Sequence, residues 1–262
     1  MDVLTPRTLV EALELKAEHP DAVPIQGGTD IMVALNFDRA RPDLLLNLNE
    51  VPELRGWTRE NGSVRLGAGL TYTEAVAELG DVLPALAEAS RTVGSPQIRN
   101  RGTVGGNLGT ASPAGDALPP LLIEGAVVEV ASVRGARRLP LEDFLVGVKR
   151  NALGPDELIV AAHVTPSRQP QTFMKVGPRN AMVIAVCSLA VVVDRERGEL
   201  RAAFGSAAPV ARLVRAPLSD LDGFPDAVAE AASPIDDVRG TSAYRRHALR
   251  TLAGRALERC SI

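Results

Sequence analysis

Two cysteines, three histidines and 3% aromatic residues are few for 262 residues, and each scarcity removes a class of function. Cys187 and Cys260 stand alone with no C-x-x-C pair, which excludes a thiolate-held iron–sulfur cluster or zinc site on this chain. His19, His163 and His247 are scattered without metal-ligand spacing, so no metal is expected. Charge of one sign is also lacking: the formal net charge is −3, and no basic stripe interleaved with aromatics marks a nucleic-acid surface. The most apolar run, Val183 to Val193, is interrupted by Ser188 and falls well short of the roughly 18 residues a membrane helix needs. It reads as a buried strand. The opening Met1-Asp2-Val3-Leu4-Thr5-Pro6 has no basic stretch leading into an apolar segment, so no secretory signal and a cytoplasmic location are expected. Neither a P-loop nor a G-x-S-x-G elbow occurs, and Gly67-Ala68-Gly69-Leu70-Thr71-Tyr72 fails the G-x-G-x-x-G fingerprint because Tyr72 stands where the last glycine belongs.

What is present is a pair of double-glycine segments, Gln26-Gly27-Gly28-Thr29-Asp30 and Thr103-Val104-Gly105-Gly106-Asn107, the second continuing to Asp116. Adjacent glycines permit positive φ and remove Cβ atoms, so successive backbone N–H groups can turn toward an anion. Thr29 and Asn107 add neutral side-chain donors without a competing negative charge. Two such loops point to a clamp on a phosphate-bearing ligand; each taken alone is also an ordinary tight turn.

The surrounding chain reads as mixed α and β. Thr5-Pro6 is a plausible start for a helix through about Glu18, Ala22 to Ile25 a strand delivering the first glycine loop, and Ile31 to Asn36 a helix behind it. Strands follow at Leu44 to Leu48, Trp57 to Arg59 and Val64 to Gly67, the last two flanking Asn61-Gly62, a strong hairpin signal. Helices are expected over Thr73 to Leu79, Val82 to Ser90 and Leu118 to Ile123, with Thr71 or Thr73 as a cap, and a second hairpin joins Val127 to Ser132 with Ala136 to Leu139. An antiparallel series is then expected at Glu157 to Thr165, Gln171 to Val176, Ala181 to Asp194 and Glu199 to Gly205, before a helix over Ser242 to Arg259. Pro166 to Pro170 is the best domain boundary. Cys187 reads as a small buried hydrophobe and Cys260 as part of a mobile tail.

The stretch Gln97-Ile98-Arg99-Asn100-Arg101-Gly102-Thr103-Val104-Gly105-Gly106-Asn107, running on to Ser112-Pro113-Ala114-Gly115-Asp116, resembles the FAD-binding subunit of molybdenum hydroxylases. That family includes the xanthine dehydrogenase FAD subunit and the aerobic carbon monoxide dehydrogenase medium subunit. Gly27-Gly28-Thr29-Asp30, Leu66 to Tyr72, Phe173 to Arg179, Phe204 to Pro209, and Asp236 to Arg239 with Tyr244 to Arg246 match in family order, so the resemblance covers nearly the whole chain.

The resemblance implies an α+β, two-domain FAD-binding fold of the vanillyl-alcohol-oxidase (PCMH) type. Residues 1–166 would form an FAD-binding domain of two α/β parts, about 1–54 and 55–166, and residues 167–262 a C-terminal antiparallel sheet with helices. It further implies that the backbone of Ile25, Gln26, Gly27, Gly28, Thr29 and Asp30, together with Ile31, holds the FAD pyrophosphate and nearby ribityl chain, with Gly102, Thr103, Gly106, Asn107 and Thr110 approaching from the other side. Asp116 would accept hydrogen bonds from ribose or ribityl hydroxyls, Ile98 and Ile159 would touch the ring systems, and Lys175 would stabilise charge on the reduced flavin. Phe173 and Tyr72 are the only candidates for an aromatic stacking partner, and either could equally be core. No catalytic residue is implied on this chain. Substrate hydroxylation is implied at molybdopterin in a large subunit, with electrons crossing two [2Fe–2S] clusters of a small subunit and leaving through FAD to NAD+, oxygen or a quinone. The Gly-Gly-Thr-Asp form of the first loop and the Lys175 to Arg179 segment resemble the xanthine dehydrogenase branch more than the carbon monoxide branch. A free-standing flavin oxidoreductase and a flavin-free scaffold subunit are the alternatives.

Overall fold

The computed structural model describes residues 1–260. The chain begins with β1 (Asp2–Leu4), α1 (Leu9–Glu18), β2 (Val23–Ile25), α2 (Ile31–Asn36) and β3 (Leu44–Asn47), and the strands form a parallel sheet in the order β1-β3-β2. The helix start expected at Thr5-Pro6 lies three residues too early. Asp2–Leu4 pairs with Leu44–Leu46 as a strand, and Thr8 is the cap, its hydroxyl accepting the Glu11 N–H. Lys16 is buried in α1 yet satisfied, donating to the carbonyls of Pro20 and Ala22 at 2.6 and 2.7 Å. Burial lowers its pKa from the ordinary lysine value, against the pull of Asp21 and Asp156. Two single turns of 3₁₀ helix, Leu48–Glu50 and Pro52–Leu54, lead out of this sheet.

A second layer follows: β4 (Trp57–Glu60), β5 (Ser63–Gly67), α3 (Tyr72–Glu78), α4 (Pro84–Thr92), α5 (Pro96–Arg99), α6 (Val104–Thr110), α7 (Leu118–Ile123), β6 (Val127–Ser132), β7 (Gly135–Pro140), α8 (Leu141–Phe144), β8 (Leu145–Gly147), β9 (Arg150–Asn151) and β10 (Leu158–Val164). The five long strands run in the order β4-β5-β10-β6-β7, antiparallel at every junction, while β8 and β9 pair separately. Asn61 and Gly62 both have positive φ, 51° and 79°, as a two-residue hairpin turn matched to strand twist requires. Thr71 and Glu74 form a reciprocal capping box that fixes the start of α3. The first strand of the expected antiparallel series, β10, leaves that series and inserts between β5 and β6. Leu158 and Val160 are buried there with the first sheet's apolar cluster, and Ala162 and Val164, beyond a register shift, with the central one.

The remainder comprises β11 (Gln171–Val176), β12 (Cys187–Asp194), β13 (Glu199–Gly205), β14 (Arg212–Pro217), α9 (Phe224–Glu230) and α10 (Ser242–Cys260), the strands forming an antiparallel meander in that order. Every residue of β12 is buried, and the period of two sorts its side chains. Cys187, Leu189, Val191 and Val193 join an apolar cluster with α9 and α10, whereas Ala190 and Val192 join one with α7 and α4. Helix α7, Leu-Pro-Pro-Leu-Leu-Ile, is buried all round, as a helix with no polar face must be, and packs against β12, β13 and β14 of the third sheet. Cys260 is no mobile tail: it is buried in α10, and burial pushes its thiol up to about 11 and that of Cys187 up to about 12. Among the described residues no helix is long and apolar enough to cross a membrane.

Candidate functional site: a cleft between two glycine segments

The first segment leaves the end of β2, whose Ile25 pairs with Asn47, and turns through Gln26–Asp30 into α2. Gly28 has φ +75°, a conformation L side chains rarely adopt. Gly27 is glycine for a different reason: a Cβ there would lie 2.3 Å from the Arg101 carbonyl oxygen and 3.0 Å from Gly102 Cα. The two glycine segments therefore meet backbone to backbone. Arg101 ties the junction, donating to the Gln26 carbonyl and the Asn49 side chain at 3.4 Å each, and the Gln26 amide lies over Gly69. The N–H groups of Gly27, Gly28, Thr29, Asp30 and Ile31 donate to no acceptor among the described residues. All five lie on a half-exposed turn, a concavity of backbone donors suited to an anion.

The second segment is not the loop its glycines suggested. Val104–Thr110 is the helix α6, started by Thr103, whose hydroxyl accepts the Gly106 N–H at 2.9 Å. Its leading amides are already engaged: Val104 donates to Leu70 O, Gly105 to Ala68 O and Asn107 to Thr103 O. Val104, Gly105, Gly106 and Asn107 therefore offer no free backbone donor. The second segment supplies something else, which its three glycines disclose.

Gly105 is buried, and a Cβ there would sit 2.5 Å from Ala68 O, so close packing explains it. Gly106 and Gly109 are exposed, and their added Cβ atoms would meet only Thr103 Oγ1 at 3.1 Å and Ile159 Cδ1 at 3.6 Å. Each glycine in a helix interior costs about 0.5–1 kcal/mol relative to alanine, and here no internal contact requires it. A helix surface left bare at i and i+3 is one that another group approaches closely.

Side chains frame this bare face. Thr110 donates to Asp30 Oδ2 at 3.2 Å, closing one end of the cleft between the two segments. Asn107 Oδ1 accepts the Ala117 N–H at 3.1 Å, and its side chain lies where a Cβ on Gly115 would fall, so Asn107 holds the Ser112–Asp116 turn while its Nδ2 donates to no described residue. Ile159, at a register bulge in β10, reaches Gly109. Ile98 projects from α5 over Gly94 and is 39% exposed, and its carbonyl accepts the Gly102 N–H at 2.7 Å. Ile31 opens α2, partly exposed.

At the far side Asp116 and Lys175 form a buried ion pair at 2.7 Å, with side chains 9% and 5% exposed, and Lys175 also donates to the Thr92 carbonyl at 3.0 Å. Burial pushes the Asp116 carboxyl up from its ordinary value, and Lys175 works against that rise. Asp116 Oδ1 is sealed from solvent without a partner. Ser188 Oγ and Ser206 Oγ are also unpartnered, on residues at the ends of the strands beside Lys175. Such orphaned polar atoms are rare in native interiors, and their gathering at one end of the cleft marks it as chemically specialised.

The aromatic candidates do not stack. Phe173 and Tyr72 are 4% and 5% exposed and belong to the central apolar cluster, so neither offers a free ring face. Of the other residues singled out from the sequence, Gly27 meets Arg101 and Gly102, Thr110 meets Asp30, Ile159 reaches Gly109 and Lys175 meets Asp116. Sequence reasoning missed Gly109, Arg101 and Gly69; the Gly106 to Gly109 spacing was the available signal for the first.

A family model described as the FAD binding domain in molybdopterin dehydrogenase matches residues 1–166. The chain is 32% identical to the xanthine dehydrogenase FAD-binding subunit of Escherichia coli O157:H7, over 95% of this chain and 92% of that one. It is 35% identical to the nicotinate dehydrogenase FAD-subunit of Eubacterium barkeri, over 74% of this chain and 69% of that one. A solved structure of carbon monoxide dehydrogenase from Hydrogenophaga pseudoflava, lacking the Mo-pyranopterin moiety of its molybdenum cofactor, superimposes with a TM-score of 0.92 at 25% identity, covering 100% of this chain and 97% of that one.

Proposed function

Because this chain belongs to the family of FAD-binding domains of molybdopterin dehydrogenases, we propose that it is the flavin-carrying electron-transfer subunit of a molybdenum hydroxylase. The observation that carries the reading is the bare face of α6 at Gly106 and Gly109, set beside the free N–H groups of Gly27 to Ile31. The residues fit FAD chemically. Backbone donors suit its pyrophosphate, the glycine face gives its length close passage, and the unpartnered Asp116 Oδ1 is an acceptor in want of a hydroxyl donor.

Bound FAD supplies the one-electron and hydride chemistry that no side chain here can provide. The chain's own residues bind, orient and exclude water. Gly27, Gly28, Thr29, Asp30 and Ile31 hold the pyrophosphate through their amides, and Thr110 fixes Asp30 against α6. Thr103 and Asn107 set the helix and the following turn, leaving Asn107 Nδ2 as a neutral donor. Lys175, paired with Asp116 beside the two segments, would stabilise negative charge developing on the reduced flavin. Ile98 and Ile159 present apolar surface to its rings.

The fold reading is the two-domain PCMH type, residues 1–166 carrying most of the cofactor contacts and residues 167–262 contributing Lys175. Partners are a [2Fe–2S] subunit that delivers electrons and a molybdopterin-binding large subunit that hydroxylates the substrate, in a cytoplasmic complex. NAD+, oxygen or a quinone takes the electrons. The 32% identity to a xanthine dehydrogenase subunit supports a xanthine-dehydrogenase-like assembly.

The test is the visible spectrum of the purified chain after incubation with FAD and desalting. Retained flavin bands, with FAD rather than FMN released on denaturation, are expected. A protein that stays colourless alone and in complex with its co-expressed partner subunits would refute the reading.

A further inference from the structure

Tyr72 is the first residue of α3, and its N–H donates to the Gly102 carbonyl at 3.1 Å. The preceding Thr71 bridges Thr103, so the start of α3 is clamped to the start of α6. The ring packs under Gly102, where an added Cβ would lie 3.1 Å from ring carbons Cδ2 and Cε2. Only 5% of the residue is exposed. Leucine or phenylalanine would serve this position in the core equally well, so the hydroxyl calls for a separate explanation.

That hydroxyl has no hydrogen-bond partner among the described residues, yet it is not one of the polar atoms sealed inside the protein. The only opening it has is therefore a narrow one. Two carboxylates lie near enough to oppose its ionisation once burial has already done so: Asp116, at the end of the cleft, and Asp30, on the first glycine segment. A phenol among such neighbours stays protonated, and remains a hydrogen-bond donor. The ring that carries it lies against Gly102, next to the first glycine segment, and no described residue accepts from it.

We propose that Tyr72 is a further cofactor contact, its hydroxyl donating a hydrogen bond through the cleft to a phosphate or ribityl oxygen of bound FAD. The inference rests on the FAD reading above and adds a residue to it. A donor that the protein leaves without an acceptor and that opens outward through a narrow gap is completed when an oxygen-rich ligand takes its hydrogen bond. The ring supplies rigidity: held against Gly102, it sets the donor's position before the ligand arrives.

The experiment compares wild type with Tyr72→Phe in the full chain, by FAD titration and by thermal melts with and without FAD. Phenylalanine keeps the ring and its packing, so the melting temperature without FAD is expected to stay unchanged. FAD affinity is expected to fall about five- to tenfold, the loss of one hydrogen bond to the ligand, and the FAD-induced rise in melting temperature to shrink accordingly. Equal FAD affinity in the two proteins would overturn the inference and leave the FAD reading standing. A marked fall in melting temperature without FAD would also overturn it, because the hydroxyl would then have an internal partner. A wild type that binds no FAD, alone or in its complex, would overturn the FAD reading and this inference with it.

Discussion

Replacing Gly109 by alanine should stabilise the protein and weaken its hold on FAD, two effects of opposite sign from a single methyl group. Gly109 lies within α6 at no positive φ, and its added Cβ would make one ordinary contact, 3.6 Å to Ile159 Cδ1. Alanine at such a site lowers the conformational entropy of the unfolded chain and improves helix propensity, a gain of about 0.5–1 kcal/mol. For a chain of this size that raises the melting temperature by roughly 1–4 °C. The same methyl group stands on the bare face of α6 proposed to lie along the cofactor. Forcing a methyl into a closely packed contact costs about 1–3 kcal/mol, or roughly a 5- to 150-fold loss of affinity. Differential scanning calorimetry without ligand and fluorescence titration with FAD measure the two effects separately. Gly27→Ala is the control: its Cβ would lie 2.3 Å from the Arg101 carbonyl oxygen, backbone that cannot swing aside, so it should lose stability before any ligand is added. A Gly109→Ala protein with undiminished FAD affinity would refute the ligand-facing assignment of α6. One that is less stable without ligand would refute the claim that no packing need explains this glycine.

Two further perturbations follow from the buried and half-buried charges. Lys175→Met strands the Asp116 carboxylate without its cation and should lower unfolding stability by about 3–5 kcal/mol in urea, and adding Asp116→Asn should recover most of it; single and double variants of equal stability would show that the pair is not coupled. Glu129 is pushed up by burial, but hydrogen bonds from His163 and Arg138 outweigh this and hold its carboxyl below the ordinary 4.5. That contribution is present above the unfolded value and is lost as pH falls through the lower folded value, so the melting-temperature advantage of wild type over Glu129→Gln should shrink on acidification. An advantage that grows instead would contradict the sign.

The parts of the fold that could be read from sequence are those where one local signal faces no tertiary competition. Asn61-Gly62 demanded a tight hairpin turn, and the all-apolar Leu118–Ile123 and Cys187–Asp194 could only be buried. Helix α6 was illegible because three glycines in seven residues lower its propensity, and it forms only because Thr103 caps it and Val104, Gly105 and Leu108 pack against the Ala68–Leu70 turn. β14 and α9 escaped notice because β14 is a half-exposed edge with arginines at both faces and α9 carries a proline in its first turn. At the site, the two glycine segments announced themselves, but their division of labour did not. Which amides are free depends on partners such as Leu70 O and Ala68 O, and the Asp116–Lys175 pair joins residues 59 apart in sequence.

The central apolar cluster runs without interruption from Leu118 and Leu121 into Phe173, Ala190, Val192 and Ala203. Cutting the chain within the proline-bearing linker would thus leave a raw greasy wound on both fragments. A library of truncations, a split reporter or a domain transplanted between relatives should fail at that junction even though sequence similarity to the family model stops at residue 166. The shared core makes the two sequence halves a single object to take apart or to transplant.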